Sequence, residues 1–188
     1  MRATLLTALL ALSASSAFAQ TTYTIDPSHT YPSFEADHRG LSLWRGKFNK
    51  TTGKVVLDRE AKTGTIDIAI DPASIDFGHE KMNEHARGEE MFNVEKFPTI
   101  TYRGRSMTFE GDKPVAVEGE LTMLGVTKSV PLKVNRFVCD MHPMLKREVC
   151  GADVSGGFNR ADFGLNAGLP KFSPEVNLEI QVEAVKAE

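Results

Sequence analysis

The sequence predicts an all-β, antiparallel fold of about eight strands broken by one short helix. Three observations carry this. Apolar and polar residues alternate with a period of two over most of the chain, as in Thr65–Asp71 and Glu175–Val185. Turn signals rich in Gly, Asp and Lys separate those runs, with none of the helix-length spacers of a βαβ rhythm. One segment, from about His79 to Glu90, breaks the alternation. It holds no Val or Ile and is rich in Lys, Met, Glu, Ala and Arg, residues that favour a helix. An antiparallel sheet of this size closes into a barrel or folds into a sandwich.

Taken in order, the first nineteen residues read as a secretory signal. Arg2 supplies the positive start, Leu5–Leu12 the apolar centre and Ala17-Phe18-Ala19 the cleavage site, so a mature chain would begin at Gln20. Leu5–Leu12 is too short to span a bilayer, and no later apolar run is long enough either. A soluble, exported protein of one domain, residues 20–188, is expected. The net charge of −3 becomes −4 without Arg2, and no basic cluster marks a nucleic-acid partner. The two cysteines, Cys139 and Cys150, read as a disulfide in an oxidising compartment, worth roughly 3 kcal/mol in the chain-entropy account.

Tyr23–Asp26 starts the strands and ends at Asp26-Pro27. Tyr31–His38 follows, with Phe34, Ala36 and His38 on one face; Gly40 and Gly46 then punctuate a turn around Trp44. Gly53–Arg59 puts Val55 and Leu57 on one face, and Lys62-Thr63-Gly64 turns it into Thr65–Asp71, with Ile66, Ile68 and Ile70 inward. These two runs predict a hairpin. In the helical segment, Met82, His85, Ala86 and Glu89 share a face, and Phe97-Pro98 restarts extended chain. Thr99–Arg105, Ser106–Glu110, Val115–Met123 and Thr127–Phe137 follow, Pro131 marking an edge or a bulge. Val149–Asn159, with a kink at Gly156-Gly157, precedes the closing run, where Val176, Leu178, Ile180, Val182 and Ala184 alternate with polar residues.

Four stretches resemble the YceI-like, polyisoprenoid-binding family of bacterial periplasmic proteins: YTIDPSHTYPSFEADHRG (Tyr23–Gly40), SIDFGHEKMNEHARGEEMFNVEKFPTITY (Ser74–Tyr102), VEGELTMLGVTKSVPL (Val117–Leu132) and FNRADFGL (Phe158–Leu165). They span nearly the whole mature chain in order. Three positions depart from the family pattern: Pro32, the Lys81–Glu84 stretch where an Arg-Asp pair is usual, and Ser129 where Pro is common. The second leaves any head-group contact by that pair unsupported. The resemblance implies an eight-stranded antiparallel lipocalin-like barrel with a short helical flap. It also implies an isoprenoid ligand, a polyprenyl phosphate or an isoprenoid quinone, and no other cofactor.

An isoprenoid is almost wholly apolar, and each buried CH₂ contributes roughly 0.8 kcal/mol. Candidate pore residues are Phe34, Trp44, Phe48, Phe92, Phe97, Phe109, Met123, Phe137, Phe158 and Phe163. The same residues would serve equally in an ordinary filled core. Candidate mouth residues for a phosphate or quinone carbonyl are His29, His38, His85, Arg87, Arg160 and Asp162. Asp26 and His29 also suit a turn, and Arg160 and Asp162 suit pairing with neighbours. A homodimer would shield a chain longer than one barrel. No catalytic motif is present, so the expected function is binding rather than an enzymatic reaction. Two alternatives stand beside it: an enzyme acting on lipid or quinone through His29, His38 or His85, and a redox or metal accessory protein using Cys139, His142, Met144 and Cys150 if the cysteines were reduced.

Overall fold

The computed structural model describes residues 20–188; the secretory segment read at residues 1–19 lies outside the described residues. The strands are β1 (Thr21–Ile25), β2 (Tyr31–Asp37), β3 (Leu43–Phe48), β4 (Thr51–Asp58), β5 (Thr63–Ile70), β6 (Ile75–Asp76), β7 (Ile100–Glu110), β8 (Lys113–Met123), β9 (Val126–Ser129), β10 (Leu132–Met141), β11 (Glu148–Asn159) and β12 (Glu175–Lys186). The helix α1 covers Glu80–Arg87. Every strand pairing is antiparallel.

The eight strands of the sequence reading are present as eight staves. The order β1-β4-β5-β7-β8-β10-β11-β12 closes on itself because β12 also pairs with β1. The additional strands arise from interruptions and short hairpins. β1 and β2 lie end to end along β12, which takes β1 at Ala184–Lys186 and β2 at Val176–Gln181. Asp26-Pro27 causes the break. The Thr30 hydroxyl bridges it, donating to the Glu183 carbonyl and accepting from the Glu183 N–H, both at 3.1 Å. β3 and β4 form a second broken stave beside the first.

Pro131 acts as a strand break. The run read as Thr127–Phe137 splits at Val130-Pro131, so that β9 folds back on β8 while β10 pairs with β11 and briefly with β8. A proline cannot donate to a ladder, which leaves the break there. Thr99–Glu110, read as two runs, forms one strand, Ile100–Glu110, with register shifts between Gly104 and Ser106 and between Thr108 and Phe109. Gly156-Gly157 makes no register shift against β12. Gly46 lies inside β3 rather than in a turn; a Cβ there would stand 2.6 Å from Phe34 Cζ. The β2–β3 turn falls instead at Arg39 and Gly40, with φ of 63° and 72°, the twist that a tight hairpin requires.

Helix α1 begins as predicted and turns most of the predicted face inward, Ala86 being fully buried and Met82 and His85 lining the cavity, while Glu89 lies beyond its end. His79 caps it, its Nδ1 accepting from the Met82 N–H at 3.3 Å. The buried face carries Asn83 and fully buried Ala86, whereas His85 and Glu89 are exposed. Asn83 Oδ1 accepts from the Phe77 N–H at 2.8 Å, anchoring the helix to the segment before it. A short polar side chain was thus the docking residue, which an apolar-periodicity search passes over.

Candidate functional site

The inward-facing alternate residues of the barrel enclose a cavity of about 950 Å³. The wall positions follow directly from strand alternation. Val176, Leu178, Ile180, Val182 and Ala184 of β12 all face in, as do Ile66, Ile68 and Ile70 of β5 and Val55 and Leu57 of β4. The cavity is closed at one end and open at the other. At the closed end the lining residues Tyr23, Ile25, Leu57, Pro114, Cys150 and Ala184 are all buried. Tyr23, 1% exposed, donates its hydroxyl to Glu148, which in turn takes Arg59 at 3.2 Å. Burial, then the bond to Glu148, pushes the Tyr23 pKa up to about 12. The exposed lining residues Trp44, His85, Glu90, Gly164, Asn166 and Gly168 all lie at the opposite end, which is therefore the mouth.

Of the aromatic and methionine candidates, Phe34, Trp44, Phe48, Phe92, Met123, Phe137 and Phe158 line the cavity. Phe97, Phe109 and Phe163 do not. Phe97 leans outside against Gly125, where a Cβ would meet its ring at 3.2 Å. Phe109 packs with the small cluster around Tyr23 and Leu57 near the closed end. Phe163 is buried behind the wall, edge-on to Phe158 with ring centroids 5.3 Å apart. Aromatic content alone does not separate wall from packing; only the register of each side chain does. Met91, beside Phe92, lines the cavity too, as do Tyr23 and Tyr102, which the sequence pattern does not mark as pore residues.

The polar candidates divide in the same way. His38 and His85 stand in the mouth. The His38 ring stacks on Trp44, with centroids 4.6 Å apart and planes 17° apart, and contacts Phe172 at 5.1 Å. His29 is not a cavity residue: its Nδ1 meets Asp26 Oδ2 at 2.8 Å in the turn between β1 and β2. That contact raises the His29 pKa and, as the largest cause, lowers that of Asp26. Arg87 turns back to Glu80 on its own helix at 2.7 Å and does not line the cavity. Asp162 is exposed and outside it.

Arg160 does line the cavity, yet most of its donors are committed. It is 7% exposed; Nε donates to the Ser173 carbonyl at 3.1 Å, and Nη1 to Leu165 and Ala167 at 2.8 and 2.9 Å. Burial lowers its pKa. Its evident work is to fold the segment between β11 and β12 into the rim of the mouth. Thr51 is the buried exception: its hydroxyl, in the cavity wall, has no hydrogen-bond partner among the described residues.

Cys139 and Cys150 pair across β10 and β11 as a disulfide. His142 Nδ1 accepts from the Met144 and Leu145 N–H groups. These four residues therefore build and staple a hairpin rather than forming a soft-metal set.

The whole barrel matches the family model described as a YceI-like domain, over residues 23–184. The chain belongs to the YceI-like family. A UPF0312 protein of Shewanella putrefaciens is 30% identical over 191 aligned positions, covering 99% of this chain and all of that protein. Protein YceI of Salmonella arizonae is 31% identical over 167, covering 87% and 86%. Among solved structures, BcnA of Burkholderia cenocepacia superposes with a TM-score of 0.71 at 22% identity, covering 85% of this chain and 99% of that one. A polyisoprenoid binding domain from Saccharophagus degradans gives 0.65 at 17%, covering 88% and 98%. Among the described residues no helix is long and apolar enough to cross a membrane.

Proposed function

We propose that this chain is a periplasmic carrier that sequesters an isoprenoid lipid, a polyprenyl phosphate or an isoprenoid quinone, without chemically changing it. The observation that carries this reading is the cavity: about 950 Å³, walled by alternate apolar residues of all eight staves, with its charged and imidazole side chains at the mouth. Such a shape takes a long apolar chain tail-first. At roughly 0.8 kcal/mol per buried CH₂, affinity grows with chain length until the closed end is reached. His38 and His85 stand where a head-group oxygen would come to rest. The polyisoprenoid binding of the Saccharophagus domain supports the same ligand class. The disulfide is in keeping with an oxidising compartment.

The test is titration with quinones and polyprenyl phosphates of graded chain length, followed by Trp44 fluorescence and by mass analysis of the recovered lipid. Saturable binding that tightens with chain length, with the lipid recovered unchanged, is expected. Affinity independent of chain length would refute the tail-first cavity. Conversion of the lipid that disappears in H38A or H85A would establish the enzyme alternative instead.

A further inference from the structure

The hairpin joining β2 and β3 exposes an apolar tip beside the mouth. Leu41 is 77% exposed, Leu43 45% and Trp44 38%. Isolated exposed leucines are ordinary, but these three residues are nearly consecutive, Leu41 just after the turn and Leu43 and Trp44 at the start of β3. Trp44 belongs to two surfaces at once, since it also lines the cavity and stacks on His38. Trp44 therefore joins the exposed tip to the cavity wall.

Charge around the tip is arranged to match a membrane surface. Arg39 sits in the turn itself, and Lys171 adjoins Phe172, whose ring packs on His38. Both are exposed, and neither forms an ion pair among the described residues. Of the acids at this end, Glu35 takes Arg45 at 3.1 Å and Asp37 accepts the Gly40 N–H at 2.7 Å, while Glu90, exposed in the mouth, forms no ion pair among the described residues. Leucines and a tryptophan flanked by unpaired cations suit the boundary between acyl chains and head groups. The chain's net charge of −3 disfavours approach of an anionic bilayer to the rest of the surface, so this tip would set the orientation.

We propose that the β2–β3 tip docks reversibly on a phospholipid bilayer and places the mouth against it, so that lipid passes between membrane and barrel along Trp44. The purpose of this docking rests on the carrier reading; its test does not. Trp44 is the only tryptophan, so its emission reports the tip directly. The chain is mixed with vesicles of phosphatidylethanolamine and phosphatidylglycerol, with and without brominated acyl chains, and pelleting is measured in parallel. A blue shift, quenching by the bromolipid and co-sedimentation are expected. L41D/L43D should weaken sedimentation about tenfold or more. Neither leucine lines the cavity, so the variant should still take up quinone from detergent micelles. M144E, at the hairpin beyond the closed end where Met144 is 82% exposed, should sediment like the parent. Trp44 emission unmoved by vesicles would overturn the proposal, as would binding lost in M144E and retained in L41D/L43D. Failure to take up quinone from micelles, with vesicle binding intact, would count against the carrier reading alone.

Discussion

Blocking the closed end of the barrel should shorten the ligand it can hold. Ala152 is suited to this. It lines the cavity, and its neighbours in register are Phe137 on one side and Val182 on the other, both also in the wall. The disulfide residue Cys150 lies two positions further along the same strand, towards the closed end. Ala152→Phe would project a ring into the deep part of the cavity, occupying space rather than overpacking a filled core. The ring displaces on the order of four ligand carbons, at about 0.8 kcal/mol each. The resulting loss of about 3 kcal/mol is roughly two-hundred-fold in affinity. Only ligands long enough to reach that depth would feel it. The assay is calorimetric titration with two quinones of equal head group and different chain length, on parent and variant, with thermal melts to verify folding. The long quinone should lose about two orders of magnitude while the short one is unchanged. Equal loss for both, or none for either, would refute tail-first binding towards Tyr23.

Three further outcomes follow from the same geometry. Thr51→Val removes a buried hydroxyl without a partner while keeping its shape, and should stabilise the protein by about 1 kcal/mol in urea unfolding; a loss of that size would show that the hydroxyl is satisfied after all. Tyr23 has a folded pKa of about 12 against an ordinary 10.0, so its contribution is complete below pH 10.0 and is lost as pH rises towards 12. Tyr23→Phe should flatten the alkaline fall in stability over that window, and an unchanged slope would remove Tyr23 as its source. His29 is held above 6.5 and Asp26 below 3.8: the histidine's share is lost as pH rises through its raised pKa, the aspartate's as pH falls through its lowered one. The pair is therefore fully engaged between 3.8 and 6.5. Nuclear magnetic resonance titration should place His29 above 6.5 in the parent and nearer it in D26N; an identical midpoint in both would exclude the contact.

Much of the fold was legible in the pattern of side chains, because a barrel with one buried face imposes a period of two that the residues must obey. β5 and β12 show this best, and every inward residue read there lies on the cavity. The breaks were harder to place. Pro131 signals a disturbed strand, but whether the ladder bulges or ends depends on what lies alongside, and here β9 folds back on β8. At the site, the residue types were legible and their directions were not. Phe97, Phe109 and Phe163 are as aromatic as Phe34 and Phe48, yet their positions turn them away from the cavity. The same holds for charge: Arg87 finds Glu80 seven residues back, and His29 finds Asp26, so both are spent on local structure. Arg160 combines the two cases, lining the mouth while three backbone carbonyls hold it. Helix docking through Asn83 carried no apolar signal and became visible only with the Phe77 N–H beside it.

The most direct test of the carrier reading is native mass spectrometry of the protein purified from its own host, followed by organic extraction and identification of what is released. A single stoichiometric isoprenoid, freed intact, is the expected result. An empty barrel that also refuses added quinones and polyprenyl phosphates would contradict the account and leave the fold without its proposed cargo.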